Sequence, residues 1–170
     1  AACAICAAAG LPTGAMREGV QGFNGVPHRL EFVRSWGGAA WYNDSIATAP
    51  ERAMAGLRSF SEPIVLLAGG RDKNLPWEAF ARLVQERVDH LILFGEAAPI
   101  IHNALLQAGS QAARPFTIHT CTGLQEAVQT AAHLVQAGDV VLLSPGGTSY
   151  GEFRDFEERG EAFRKWVLEL

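Results

Sequence analysis

The sequence predicts a doubly wound α/β domain, in which helices cover both faces of a mostly parallel sheet. Three short apolar runs, "PIVLLAGG", "HLILFG" and "DVVLLSP", stand at 63–70, 90–95 and 139–145. Stretches with apolar residues at helical spacing alternate with them. Strands that are apolar along their whole length are typical of parallel sheets buried between two layers of helices, so the alternation indicates this fold class.

A short helical appendage is predicted ahead of the sheet. "AACAICAAAG" and "AMREGVQGF" favour two helices, and "LPTG" between them favours a turn. Cys3 and Cys6 form a C-x-x-C motif, but no second pair stands at the spacing of a structural zinc site, so we expect two buried thiols on a small-residue helix face. Asn24-Gly25 and Pro27 then interrupt the pattern, which predicts a boundary near 22–26.

The remaining elements follow in order. "LEFVRSWGGAAWYN" predicts two strands joined at Gly37-Gly38, because a glycine pair between strand-like runs favours a hairpin. Gly109 closes one predicted helix, and Thr122 with Gln125 opens another in the positions of a capping box. The predicted series is strand 63–70, helix 77–88, strand 90–95, helix 98–109, strand 116–120, helix 122–138, strand 139–145 and a final helix with Phe156, Phe163, Trp166, Val167 and Leu170 on one face.

Composition narrows the class of protein. The 170 residues are 48% hydrophobic and 19% charged, as expected for a globular domain. The net charge is −4 and the basic residues are scattered, which argues against a nucleic-acid partner. No apolar run reaches the roughly 18 residues of a membrane span, and the first residues lack the basic start of a signal peptide. Three cysteines fit a reducing compartment, so we expect a cytoplasmic protein without a membrane partner.

Three predicted strand ends are polar and rich in glycine or hydroxyl groups: "NDSIAT", "GGRDKN" and "SPGGTSYG". Ligands of doubly wound sheets bind outside the carboxyl ends of the strands, so these segments are the candidate site. The sequence contains neither a Walker A loop nor the G-x-G-x-x-G fingerprint of dinucleotide binding. The five histidines show no metal-ligand spacing, so we expect no metal site.

Each segment also has a simpler interpretation. Thr48 with Glu51 matches a capping box, so Thr48 could serve only to cap a helix. Lys73 could be an ordinary solvated loop lysine. "SPGGTSYG" either forms an anion-binding nest of backbone N–H groups or is a turn before the last helix.

Four motifs together resemble one family. "GVPHRLEFV", "WYNDSIATAP", "LLAGGRDKN" and "GDVVLLSPGGTSYGEFRDFEERGEAF" are similar, in order and spacing, to the Rossmann-like C-terminal domain of the Mur ligases of peptidoglycan synthesis, and above all to the branch that adds D-glutamate. The resemblance covers about 22–170. It implies that 1–22 is the tail of a central ATPase domain and that 23–170 is the amino-acid-binding domain.

The resemblance also implies a reaction. ATP would convert the carboxylate of UDP-N-acetylmuramoyl-L-alanine to an acyl phosphate, and the amine of D-glutamate would then attack it to give an amide, ADP and phosphate. The family's P-loop and metal-binding segments have no counterpart in these residues, so Mg²⁺ is expected mainly in the central domain. The fragment alone is therefore expected to hold no catalytic residue and to be inactive.

Roles for individual residues come from the same resemblance. It implies that Arg29, Asp44 and His28 meet ATP, and that D-glutamate is bound by Thr48, Lys73, Ser149, Tyr150 and Phe156. The chain departs from the family at Ile46, where the usual "DSKAT" pattern has lysine, and at "SPGGTS" in place of "SPACAS". Two alternatives stay open: the same domain of another Mur or folylpolyglutamate-type ligase, and a non-catalytic Rossmann-like binding module.

Overall fold

The computed structural model describes residues 2–23, 25–109 and 116–170. Within these ranges, one six-stranded sheet has the order β1-β2-β6-β3-β4-β5. The strands are β1 Glu31–Trp36, β2 Ala39–Asn43, β3 Ile64–Gly69, β4 Val88–Phe94, β5 Thr117–Cys121 and β6 Val140–Gly146. The helices are α1 Ala2–Ala8, α2 Thr13–Gln21, α3 Pro50–Leu57, α4 Glu78–Arg87, α5 Ala98–Gln107, α6 Leu124–Leu134 and α7 Phe156–Glu169.

The sheet is mostly parallel. Strands β2, β6, β3, β4 and β5 pair in parallel, and β1 joins β2 as an antiparallel edge strand. The turn between β1 and β2 needs its glycine pair, because Gly37 and Gly38 have φ values of 62° and 81°. The doubly wound fold and the predicted hairpin are both confirmed.

Helices cover both faces of the sheet, and the sheet separates the hydrophobic core into two halves. Helices α3, α4 and α5 pack on one face, against side chains such as Leu66 and Leu142. Helices α6 and α7 pack on the other face, where Val65 and Val141 point because side chains alternate along a strand. The arrangement brings the carboxyl ends of β2, β6 and β3 side by side.

Helix α6 is shorter than its sequence pattern predicts. It begins after Gly123, and Thr122 bonds Glu126 through its amide and its hydroxyl, both at 2.7 Å, rather than Gln125. It ends at Leu134 instead of running on to Gly138. The following turn packs on the β1–β2 hairpin, where the amide of Gly138 donates to the carbonyl of Gly38 at 3.0 Å. The chain thus leaves the helical conformation at Val135, and this tertiary contact holds the turn that follows.

The N-terminal appendage consists of two helices without a hydrophobic core of their own. Neither α1 nor α2 contains a buried residue. The prediction of two buried thiols was wrong, since Cys3 is exposed and Cys6 is half-buried. An open apolar groove of about 350 Å³ lies between the two helices, lined by residues that include Cys3, Cys6, Leu11, Met16, Val20 and Phe23. Asn24 of the predicted turn lies outside the described residues.

None of the helices in the described ranges is both long and apolar enough to span a lipid bilayer.

We expect α1 and α2 to exchange amide hydrogens much faster than β6. Helices of 7 and 9 residues that bury no side chain have little to stabilise them, whereas every residue of β6 is buried. Hydrogen exchange followed by NMR or mass spectrometry measures this difference directly. Protection of 2–21 equal to that of 140–143 would contradict it.

Candidate functional site

Three loops meet at the carboxyl edge of the sheet. We name them the β2 loop (44–49), the β3 loop (70–77) and the β6 loop (147–155). The amide of Gly146 donates to the carbonyl of Ala47 at 2.9 Å, which joins the end of β6 to the β2 loop. Arg71 and Thr148 exchange two backbone bonds of 2.8 Å, which join the β3 and β6 loops. The three polar strand ends of the sequence therefore converge.

A buried arginine on α7 holds two of these loops. The Arg159 guanidinium donates to the Ser45 carbonyl at 2.8 Å, to the Ser45 hydroxyl at 3.0 Å and to the Gly147 carbonyl at 3.1 Å. The side chain is 0% exposed. Burial lowers the pKa of Arg159 to about 10, although the negative charge of Glu152 acts in the opposite direction. The guanidinium therefore stays protonated at neutral pH.

Sequence reasoning missed Arg159, although a signal was present. Arg159 stands three residues after Phe156 and four before Phe163, on the apolar stripe of the last helix. A charged residue inside such a stripe is buried with the stripe, and a buried charge requires hydrogen-bonding partners.

Asn43 and Ser45 complete this buried network. The Asn43 side-chain amide donates to the Gly160 carbonyl at 3.2 Å, and its oxygen accepts from the Ser45 amide at 3.2 Å. The Ser45 hydroxyl donates to the Phe156 carbonyl at 2.7 Å. These polar residues at the end of β2 fasten the β2 loop to the start of α7.

His28 is built into the same network. The residue is 6% exposed, and Nδ1 lies 3.0 Å from the side-chain nitrogen of Asn43. Its amide donates to Glu31 at 2.8 Å, and its carbonyl accepts from the Ile46 amide at 3.1 Å. A Cβ at Gly160 would lie 2.2 Å from Nδ1, so glycine there gives the ring its space. The predicted contact of His28 with ATP stays a prediction.

Asp44 lies at the inner wall of a cavity that we name the Asp44 cavity. Its carboxylate accepts from the Ser144 hydroxyl at 2.8 Å and from the Leu30 amide at 3.3 Å. A Cβ at Gly56 would lie 2.9 Å from the carboxylate, so this glycine allows it to sit against α3. The cavity has a volume of about 380 Å³ and is lined by Arg29, Leu30, Asp44, Ile46, Ala47, Arg52, Ala55, Gly56 and Ser59. The structure thus brings the predicted Arg29 and Asp44 together.

Burial raises the pKa of the Asp44 carboxyl to about 6, although the hydrogen bonds from Ser144 and Leu30 and the charge of Arg29 act in the opposite direction. At neutral pH the group is a carboxylate that accepts hydrogen bonds.

A second cavity, the Ser149 cavity, lies above the ends of β3 and β4. Ser149 is buried and Tyr150 is 60% exposed at its wall. Glu152 crosses it to accept from the amide of Leu124, at the start of α6, at 3.0 Å. The volume is about 400 Å³, and the lining is Gly70, Phe94, Gly95, Glu96, Thr122, Gly123, Ser149, Tyr150, Gly151, Glu152, Phe153 and Arg159.

Thr48, Lys73 and Phe156 line neither cavity. Thr48 is half-buried and is not the helix cap that its capping-box position suggested, because the N-cap of α3 is Ala49, without a side-chain bond. Lys73 is exposed on the β3 loop, which Asp72 braces by accepting from the indole of Trp77 at 2.9 Å. The role of these three residues in D-glutamate binding stays a prediction. Among the described residues, no group of three or more His, Cys, Asp or Glu side chains could hold a metal ion.

Replacing Arg159 with methionine is expected to lower the free energy of unfolding by about 2–4 kcal/mol, because the Ser45 and Gly147 carbonyls lose buried donors. Lys165→Met changes an exposed residue of the same helix, and its effect should stay within about 0.5 kcal/mol. Urea unfolding measures both variants. Equal stabilities for the two would contradict the structural role of Arg159.

Asp44→Asn should remove a pH dependence of stability. The Asp44 carboxyl has a pKa of about 6 in the folded chain and of about 3.8 in the unfolded chain. Between these pH values the folded chain binds more protons than the unfolded chain, so the free energy of unfolding falls as pH rises. That shift corresponds to at most about 3 kcal/mol. The wild-type chain should therefore lose more stability than Asp44→Asn between pH 4 and 7, in urea unfolding at each pH. A carboxyl titration midpoint at or below the ordinary value, measured by NMR, would contradict this expectation.

Comparison with known proteins identifies the family. The family model described as "Mur ligase, glutamate ligase domain" matches residues 28–147. A UDP-N-acetylmuramoylalanine–D-glutamate ligase of Symbiobacterium thermophilum is 47% identical over 170 residues, which are 100% of this chain and 36% of the relative. The enzyme of the same name from Acetivibrio thermocellus is 43% identical over 147 residues, 85% of this chain and 32% of the relative. The chain thus spans about a third of the length of these relatives.

A solved structure shares the fold. The bifunctional folylpolyglutamate synthase/dihydrofolate synthase of Yersinia pestis aligns with a TM-score of 0.65 at 18% identity, over 94% of this chain and 35% of that one. At this identity the likeness concerns the fold alone. On the strength of the family match, the chain belongs to the Mur ligase family and contains its glutamate ligase domain.

Proposed function

We propose that this chain is the C-terminal domain of an ATP-dependent ligase that joins D-glutamate to UDP-N-acetylmuramoyl-L-alanine in the cytoplasm. The observation that carries the proposal is 47% identity, over all 170 residues, to a protein named for D-glutamate ligation. The convergence of three polar loops at the carboxyl edge of the sheet supports it, because a doubly wound domain binds ligands there.

Residues 1–22 form the end of the central ATPase domain in this proposal, and 23–170 form the amino-acid-binding domain. The absence of buried residues in α1 and α2 supports the division, as does their open apolar groove. Since the relatives are about three times as long as this chain, the remaining two thirds supply the rest of the ligase.

The Asp44 cavity is the nucleotide side of the site. A guanidinium suits phosphate oxygens and a carboxylate suits ribose hydroxyls, and Arg29 and Asp44 supply these groups in one cavity. His28 acts here by holding the β2 loop through its carbonyl. Mg²⁺ would neutralise phosphate charge, and the resemblance to the Mur ligases implies that its ligands lie mainly in the central domain.

D-glutamate is the second ligand of the proposal. A dianionic amino acid requires a cation and several donors, which Lys73, Thr48 and the Ser149 hydroxyl supply from the three loops. Tyr150 follows Ser149 on the β6 loop, and Phe156 is the first residue of α7. The task of these residues is to orient the neutral amine toward the acyl phosphate, so that amide formation releases phosphate.

A phosphate-release assay on the ligase that carries this domain tests the function. Release should require ATP, UDP-N-acetylmuramoyl-L-alanine and D-glutamate together. Activity with L-glutamate and a folate acceptor instead would favour the folylpolyglutamate-type alternative, whose fold this chain shares. Nucleotide or amino-acid binding without amide formation would favour a non-catalytic module.

Lys73→Met in that ligase should raise KM for D-glutamate by about one to two orders of magnitude, because a hydrogen bond to a charged group contributes roughly 1.5–3 kcal/mol. KM for ATP should barely change if Lys73 touches only the amino acid. Steady-state kinetics with each substrate varied separately measure both constants.

Lys165→Met is the matched control, since Lys165 is also exposed and lies on α7. Unchanged kinetics for D-glutamate in Lys73→Met would show that Lys73 is an ordinary solvated lysine.

A further inference from the structure

The Asp44 cavity contains a second arginine with no assigned role. Arg29 acts on the Asp44 carboxyl through its charge. Arg52 lines the same cavity and is exposed, and its side chain forms neither a hydrogen bond nor an ion pair with any other residue in the described ranges. Its guanidinium therefore has all its donors available to a ligand.

The position of Arg52 on α3 follows from helical spacing. Arg52, Ala55 and Gly56 line the cavity from α3, because intervals of three and four residues put them on one face of the helix; Ser59 lines it from the turn that follows. Arg52 stands in the first turn, nearest the β2 loop. Arg58, at the other end of α3, is exposed and does not line the cavity.

Ile46 is a second observation that bears on the role of Arg52. It lies in the wall of the same cavity, at the position where the resemblance to the Mur ligases leads one to expect lysine. A cation is therefore missing from the β2 loop, and another faces the same space from α3.

We propose that Arg52 binds the phosphate chain of the nucleotide and replaces the cation that Ile46 lacks. The proposal rests on the nucleotide role of the Asp44 cavity given above. A cavity of about 380 Å³ with two arginines and one carboxylate among its lining residues fits a ligand with several negative charges and some hydroxyl groups. One guanidinium group can donate two parallel hydrogen bonds to two oxygens of a phosphate. Arg52 and Arg29 together can therefore bind two phosphates, or two edges of one phosphate.

Kinetics of the ligase that carries this domain test the inference. Arg52→Met should raise KM for ATP about tenfold, as expected for the loss of a charge-assisted hydrogen bond, and should leave KM for D-glutamate unchanged. The double variant Ile46→Lys/Arg52→Met should recover most of the affinity for ATP, because lysine at 46 returns a cation to the cavity. Arg58→Met is the matched control: it removes the same charge from the same segment outside the cavity, and its KM values should match those of the unsubstituted ligase.

Two results would overturn the inference. In the first, Arg52→Met behaves like Arg58→Met. In the second, it raises KM for D-glutamate and not for ATP, which would assign Arg52 to the amino acid. In either case the unsubstituted ligase would still form the amide, so the proposed function would stand. Failure of the unsubstituted ligase to join D-glutamate would instead overturn the proposed function and the inference with it.

Discussion

The site depends on one buried cation. The Arg159 guanidinium lies inside the domain without a carboxylate among the hydrogen-bond partners described, and three oxygens of Ser45 and Gly147 solvate it. A buried charge is costly to hold, so the loops that present these oxygens have little freedom to move away. Because the oxygens belong to both the β2 loop and the β6 loop, one side chain of α7 fixes the distance between two walls of the site.

Close approach at glycines sets the rest of the geometry. Gly56 lets the Asp44 carboxylate lie against α3, and Gly160 lets the His28 ring lie against α7; a Cβ would come within 2.9 Å and 2.2 Å of them, respectively. Burial also raises the pKa of Asp44. The chemistry of the Asp44 cavity therefore follows from packing as much as from the choice of residue.

Local patterns were enough to predict the sheet from its apolar runs and the hairpin from its glycine pair. The meeting of the three polar strand ends followed from the general rule that ligands of parallel sheets bind at the carboxyl ends of the strands. They were not enough where a distant contact decides the outcome. Helix α6 ends at Leu134, where the chain turns to pack on the hairpin; Ala49 and not Thr48 is the N-cap of α3; and neither thiol of α1 is buried. The role of Arg159 is not visible in a local pattern, because its partners Ser45 and Gly147 are 114 and 12 residues away in the chain.

The residues at the site fall into two groups with separate tasks. Asn43, Ser45 and Arg159 are buried, and their bonds are made within the domain. Arg29, just before β1, and Lys73, on the β3 loop, are exposed. The buried group fixes the shape of the site, and its loss would alter stability together with ligand binding. In the function proposed above the exposed group meets the ligands, and its members can be exchanged between neighbouring positions without disturbing the fold, as the exposed Arg52 that lines the Asp44 cavity from α3 illustrates.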